Sequence, residues 1–235
     1  MTPLLVLTAV ELEARVLARE LELPRLTALP FLAFGHGALR VAPVGLRAAF
    51  CGPRWASLLE GLGAPLVVSA GVCGALDPRL AHGDLVIPAR VIDTRGRSFP
   101  VSASHHREAV TRSADSACTA PLITTTDVVA TPLAKSALFA SSGAAAVDME
   151  SAVIVERAGA LGCAALVVRA VSDDARQSLS SELVGLISSE GRLKVGRALA
   201  LTVTHPSTLT GALELGRRTR RALRAVARVL AGLGV

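Results

Sequence analysis

The sequence predicts an α/β domain, a sheet covered by helices on both faces, and three observations predict it. Apolar runs of strand length, among them Leu4 to Thr8, Pro65 to Ala70 and Ala165 to Val171, alternate with helical patterns along the chain. Those runs are nearly continuous in apolar character, as strands buried on both faces are. A length of 235 residues and a hydrophobic content of 51% are enough for one core without a disulfide or metal staple, and they exclude disorder.

Taken in order, Leu4 to Thr8 reads as a strand that opens a helix over residues 10–21, which Pro24 ends. Arg40 to Val44 is a second strand. Leu46 to Leu62 follows as a helix, with Gly52-Pro53 delaying its start. Pro65 to Ala70 is a buried strand leading into a glycine loop, Gly71-Val72-Cys73-Gly74. After Gly83-Asp84, residues 85–92 supply a further strand. The polar stretch from Asp93 to Thr119 holds a loop, an edge strand and a helix without legible boundaries. Strands at Leu122 to Thr126 and Ala144 to Val147 then flank a helix at Pro132 to Ala140. Ser151 to Leu161 is helical, and Ala165 to Val171 has the strongest strand pattern. Two helices close the chain, at Leu193 to Val203 and at about 206–232. Residues 1–235 therefore read as one domain.

The net charge of +6 is concentrated at one end. Six arginines at 217, 218, 220, 221, 224 and 228 against Glu214 give the last 25 residues +5, and the rest only +1. No aromatic platform, RNP-like run or zinc-finger spacing accompanies the charge, so a nucleic-acid partner is not expected. The uncharged run from Gly61 to Leu76 is too short to span a bilayer, and the N-terminus lacks a secretory pattern. Cys51, Cys73, Cys118 and Cys163 form no C-x-x-C pair, which suits reduced thiols in a cytoplasmic protein. His105-His106 lacks companion acids, and adjacent side chains diverge, so no metal is expected.

In sheets of this kind ligands bind beyond the carboxyl ends of strands. Four sets of residues occupy such places: Glu11 and Glu13, Gly71 to Gly74, Met149-Glu150, and Ser172-Asp173-Asp174. Each has a structural reading too. Ser172, Asp173 and Asp174 suit a helix cap; Glu150 suits a first-turn acid; Met149 suits core filling; Glu11 and Glu13 suit a solvated helix face.

Val147-Asp148-Met149-Glu150-Ser151-Ala152, followed about twenty residues later by Val167-Val168-Arg169-Ala170-Val171-Ser172-Asp173, resembles the paired signature of the purine nucleoside phosphorylase and methylthioadenosine/S-adenosylhomocysteine nucleosidase superfamily. Thr8 to Glu13, Gly71 to Leu76 and Gly83 to Val86 resemble that family's other segments in the same order. The resemblance covers about residues 4–203 and implies a three-layer α/β/α fold around a mixed sheet. It is nearest the hopanoid-associated branch, which acts on adenosylhopane, through Gly71 to Pro78, Val147 to Ser151 and the basic extension after Pro206.

The resemblance also implies roles. Asp173, beside Ser172, would protonate or hydrogen-bond N7 of a leaving purine. Glu150 would accept the ribose hydroxyls, with Met149 beneath the sugar. Glu13 would orient an attacking water, and Arg169 would hold the region electrostatically. Gly71, Val72 and Val129 fall at substrate-binding positions. No cofactor is implied, with phosphate the alternative co-substrate. The chain departs from the family where phosphorylases place phosphate ligands: Ser69 and Val72 stand there, with Arg47 as a partial substitute. Water is therefore favoured over phosphate. Val129 stands where the family has an aromatic that stacks on the base. The expected activity is cleavage of a 5′-substituted adenosine, with phosphorolysis and a non-catalytic purine-binding protein as alternatives. The expected assembly is a homodimer. Arg217, Arg221, Arg224 and Arg228 share one helical stripe, which reads either as a solvated face or as a contact to an anionic membrane surface.

Overall fold

The computed structural model describes residues 2–114, 116–179 and 206–234. Strands and helices alternate: β1 (Leu4–Thr8), α1 (Glu11–Glu20), β2 (Phe34–His36), β3 (Leu39–Pro43), α2 (Cys51–Leu59), β4 (Leu66–Ala75), β5 (Leu85–Val86), β6 (Arg90–Asp93), β7 (Ser98–Pro100), α3 (Ala103–Arg112), β8 (Leu122–Thr124), α4 (Pro132–Ser142), β9 (Ala146–Asp148), α5 (Ser151–Ala160), β10 (Ala165–Asp173) and α6 (Pro206–Gly234). The expected helix at 193–203 lies outside the described residues.

Ten strands form one mixed sheet in the order β2-β3-β1-β4-β9-β8-β6-β7, with β10 pairing β4 and β5 off this path. β4 organises it. Its residues 66–69 pair in parallel with β1, its Gly74 and Ala75 pair antiparallel with β9, and β10 runs parallel along most of its length. Because strand side chains alternate between faces, each central strand feeds two cores. Leu5, Leu7, Val67 and Val167 pack with Trp55 and Leu58 of α2 and Ile154 of α5. Leu4, Val6, Val68 and Val168 pack with Leu17 of α1, Ala109 of α3 and Leu223, Val226 and Leu230 of α6. The three-layer α/β/α arrangement expected from the sequence is present.

Three local expectations are corrected, and one strand was not anticipated. The Gly71 to Gly74 segment is not a loop but the end of β4, held in the ladder by β10 and β9. Residues 85–92 form two strands rather than one, interrupted at Pro88, which has no N–H to give to a ladder. The helix expected over Leu46 to Leu62 is shorter, Cys51–Leu59: its start is delayed as Gly52-Pro53 suggested, with Pro53 in its first turn where proline is tolerated, and a 3-10 turn at Leu46–Ala48 precedes it. β2 had no counterpart in the sequence reading.

The basic helix spends its apolar side on the body. Ala222, Leu223, Val226, Ala227 and Leu230 are buried, whereas Arg217, Arg220, Arg221, Arg224 and Arg228 are exposed, with Arg224 3.2 Å from Glu20 of α1. From Ala222 to Leu230 the apolar face is therefore not available to a lipid surface. Among the described residues no helix is long and apolar enough to cross a membrane.

Candidate active site

The carboxyl ends of β1, β4, β9 and β10 border one cleft of about 220 Å³, lined by Glu13, Val72, Cys73, Gly74, Val129, Asp148, Met149, Glu150, Ser172 and Asp173 among others. Most of that wall is apolar, and the acids are its chemical content. A bulge in the β4–β10 ladder places it: the register slips between Val171 and Asp173, so that Asp173 rather than Ser172 lies against Gly74. Bulges re-aim side chains in this way at strand ends.

Glu13 is the buried acid at the start of α1. Its Oε2 accepts the N–H groups of Ala9 (3.0 Å) and Val10 (3.1 Å), and its Oε1 accepts that of Val72 (2.9 Å). It thus caps the N-terminus of its own helix from inside, a job that Val10 has no acceptor to share. Burial raises its pKa, against the opposing pull of Arg169 and of the three N–H donors. Gly71 makes room for it. With φ at +152°, a Cβ there would run into the Glu13 carboxylate and come within 2.6 Å of Arg169 Nη1.

Arg169 does not line the cleft. It is fully buried behind it, with Nη2 2.8 Å from Asp148 Oδ2, donating to Ser69 Oγ (2.8 Å) and Ser151 Oγ (3.2 Å), and Nη1 reaching Val72 O at 3.4 Å. Its Nε is buried with no partner in the described structure. The surrounding acids outweigh the desolvation that disfavours its charge, so the guanidinium remains a fixed cation. Asp148 is further held by Thr124 Oγ1 (2.7 Å) and by the Ser151 N–H, which ties the end of β9 to the start of α5.

Glu150, next to this network, accepts the backbone N–H of Arg47 at 3.0 Å. Burial, then the nearby charge of Asp148, push its pKa up to about 8, although Arg169 pulls the other way. Between its ordinary value of 4.5 and about 8 the folded chain holds a proton that the unfolded chain has released, so this group's contribution to stability is lost as pH rises across that window. Glu150→Gln removes the titration. Thermal melts at pH 5 and pH 8.5 are expected to show the parent losing ground to the variant as pH rises; a constant difference in Tm would refute this assignment.

Asp173 has both oxygens engaged. Ser172 Oγ donates to Oδ1 at 2.8 Å, and Lys135 Nζ of α4 meets Oδ2 at 2.6 Å, both charged groups being buried. Lys135 Nζ also donates to the carbonyls of Asp174 (2.7 Å) and Gln177 (3.1 Å). Sequence reasoning did not single out Lys135, because a lone lysine on a predicted helix ordinarily faces solvent. Asp148 was also left without a role, although it lies inside the quoted Val147 to Ala152 motif.

Three of the phosphate-region positions are occupied otherwise. The Ser69 hydroxyl is buried between Arg169 and Ser151, Val72 commits its N–H to Glu13, and the Arg47 guanidinium turns to Thr126 O (2.6 Å) and Asp127 (3.4 Å). Among the described residues that line the cleft there is no Arg, Lys or His, and no aromatic ring. Val129 lines it and packs with Val147 and Ile123. No group of three or more His, Cys, Asp or Glu that could hold a metal occurs among the described residues. A pocket with carboxylates at separate points and an aliphatic wall can take a flat, hydrogen-bonding ring and a polyol, and can offer an acid and a base to a bond between them.

The family model described as the phosphorylase superfamily matches residues 54–203. No curated protein sequence matches the chain significantly. In fold the chain is similar to a Helicobacter pylori methylthioadenosine nucleosidase mutant with 5′-methylthioadenosine in its active site, at 14% identity and a TM-score of 0.71, covering 98% of each chain. It is similar to futalosine hydrolase of the same organism at 15% identity and a TM-score of 0.72, covering 99% of this chain and 97% of that one. The Neisseria meningitidis 5′-methylthioadenosine/S-adenosylhomocysteine nucleosidase in complex with methylthio-immucillin-A gives 17% identity and a TM-score of 0.71, covering 99% of this chain and all (100%) of that one.

Proposed function

The chain belongs to the phosphorylase superfamily, and from that premise we propose that it cleaves the N-glycosidic bond of a 5′-substituted adenosine, with water as the nucleophile. One observation carries this reading: Glu13, Glu150 and Asp173 line a single cleft that, among the described residues, has no cationic side chain on its wall to receive phosphate. The similar solved structures, two of them nucleosidases and one futalosine hydrolase, support the same class of reaction.

Breaking the C1′–N9 bond leaves positive charge on the sugar and negative charge on the base, so catalysis needs a proton donor at the base and anions near the sugar. Asp173 serves the base at N7, and Ser172 holds its other oxygen. Glu150 takes the 2′ and 3′ hydroxyls, whose donation favours its ionised form, and Met149 packs against the sugar. Glu13 keeps one acceptor position beyond the three N–H groups it already serves, and there it orients the water. Burial makes it a better base for that task. Arg169 does not touch substrate in this scheme; it holds the three acids Asp148, Glu13 and Glu150 near one another.

The 5′ group is read as large and apolar, an adenosylhopane-like lipid, on the branch resemblance of Gly71 to Pro78 and Val147 to Ser151; Val10, Leu46 and Val128 on the cleft wall suit such a group. Residues 1–235 act as one domain, which the packing of α6 on β10 and α1 supports, and the assembly is proposed as a homodimer. The test is adenine release from adenosine, methylthioadenosine and an adenosine with a long alkyl 5′ substituent. The highest kcat/KM is expected for the long apolar group. Equal or lower turnover of it than of methylthioadenosine would overturn the lipid assignment while leaving the reaction class in place.

A further inference from the structure

We propose that Lys135 is a positioning residue that acts through Asp173, holding the proton that the departing base takes up; the proposal rests on the glycosidic cleavage above. The first sign is an inversion on α4. Lys135 is 0% exposed, while Leu133, two residues earlier, is 82% exposed. Taking an ammonium out of water is costly, and a helix that gains only packing would turn the leucine inward instead. The burial is fully compensated at the charged end: the three N–H bonds of Nζ meet Asp173 Oδ2, Asp174 O and Gln177 O. No donor is left over for a ligand, so Lys135 does not itself bind substrate.

What the arrangement supplies is a proton. A carboxylate alone has none to give, whereas an ammonium and a carboxylate 2.6 Å apart are, taken together, one proton richer. Ser172 fixes Oδ1 and Lys135 fixes Oδ2, so the carboxylate cannot rotate away from its place on the cleft wall. As the C1′–N9 bond breaks, its electron pair moves into the purine ring; a proton passes from Nζ to Asp173 and from Asp173 to N7. Lys135 is left as a neutral amine, still held by the two carbonyls through its remaining N–H bonds, and takes a proton from solvent after the base leaves. Lysine can release its proton inside a protein, which arginine cannot, and this accounts for the residue type.

The test compares two leaving groups. Methylthioadenosine needs a proton at the base, whereas a 4-nitrophenyl riboside expels an ion that is stable without one. Lys135→Met is expected to lower kcat on methylthioadenosine by about 10²–10⁴-fold, the usual worth of a general acid, and to change kcat on the nitrophenyl riboside by no more than about threefold. Because Lys135→Met leaves Asp173 buried without its cation, the paired variant Lys135→Met with Asp173→Asn is the second arm; it is expected to match Asp173→Asn alone on both substrates, as two members of one unit do. Equal losses on the two substrates, an unchanged rate on methylthioadenosine, or a paired variant about tenfold or more below Asp173→Asn would each overturn the role of Lys135. A parent protein that cleaves neither substrate would overturn the cleavage reading itself and this inference with it.

Discussion

Asp173→Asn is expected to fold and to release adenine from methylthioadenosine about 10²–10⁴ times more slowly than the parent, with KM little changed. Asparagine has the shape of aspartate and can turn its oxygen to Lys135, while its amide meets the Ser172 hydroxyl as a donor instead of an acceptor. Lys135 keeps the carbonyls of Asp174 and Gln177. The loss therefore falls on the proton delivered to the base and not on the shape of the cleft. Steady-state kinetics alongside circular dichroism checks it. A variant within about tenfold of the parent would move the acid to another residue.

Arg169→Met carries the largest expected cost in stability, about 3–5 kcal/mol, because one fully buried cation is removed from among buried acids. Asp148 loses an ion pair of 2.8 Å, Ser69 and Ser151 lose a donor, and Glu13 and Glu150 lose the charge that opposes their desolvation. Breaking such a pair is costly in a way that exchanging the whole of it is not. Adding Asp148→Asn to Arg169→Met is accordingly expected to recover part of the loss. Urea unfolding of the parent and both variants gives the three midpoints. A single variant within about 1 kcal/mol of the parent would show that the network contributes little.

The parts of this site that the sequence made legible are those whose neighbours in space are also neighbours in the chain. Met149 and Glu150 follow a strand and precede a helix, and Ser172 and Asp173 end the most apolar strand, so their places could be read from local pattern and motif. Gly71 was visible as a glycine but misread as part of a loop. Its reason is tertiary: the backbone stays in the sheet while Glu13, from α1, and Arg169, from β10, press against the face where a side chain would be. Lys135 was illegible for the same kind of reason. Nothing in residues 132–142 distinguishes it from a solvated lysine, and its partners come from the end of β10 and the residues just after it, beginning with Asp173, 38 positions later in the chain. The phosphate-region residues show the converse. Ser69 and Arg47 are of the right type and near the right strands, yet each is already committed to a structural bond. β2, three residues with a glycine at its centre, has no periodicity to read.

The central claim, glycosidic cleavage with water as the nucleophile, is tested most directly by the initial rate of adenine release from methylthioadenosine in phosphate-free buffer and again with added phosphate, with the sugar product identified by mass. Equal rates in the two buffers and a free pentose as the product are expected. Release that requires phosphate and yields a sugar 1-phosphate would contradict the claim.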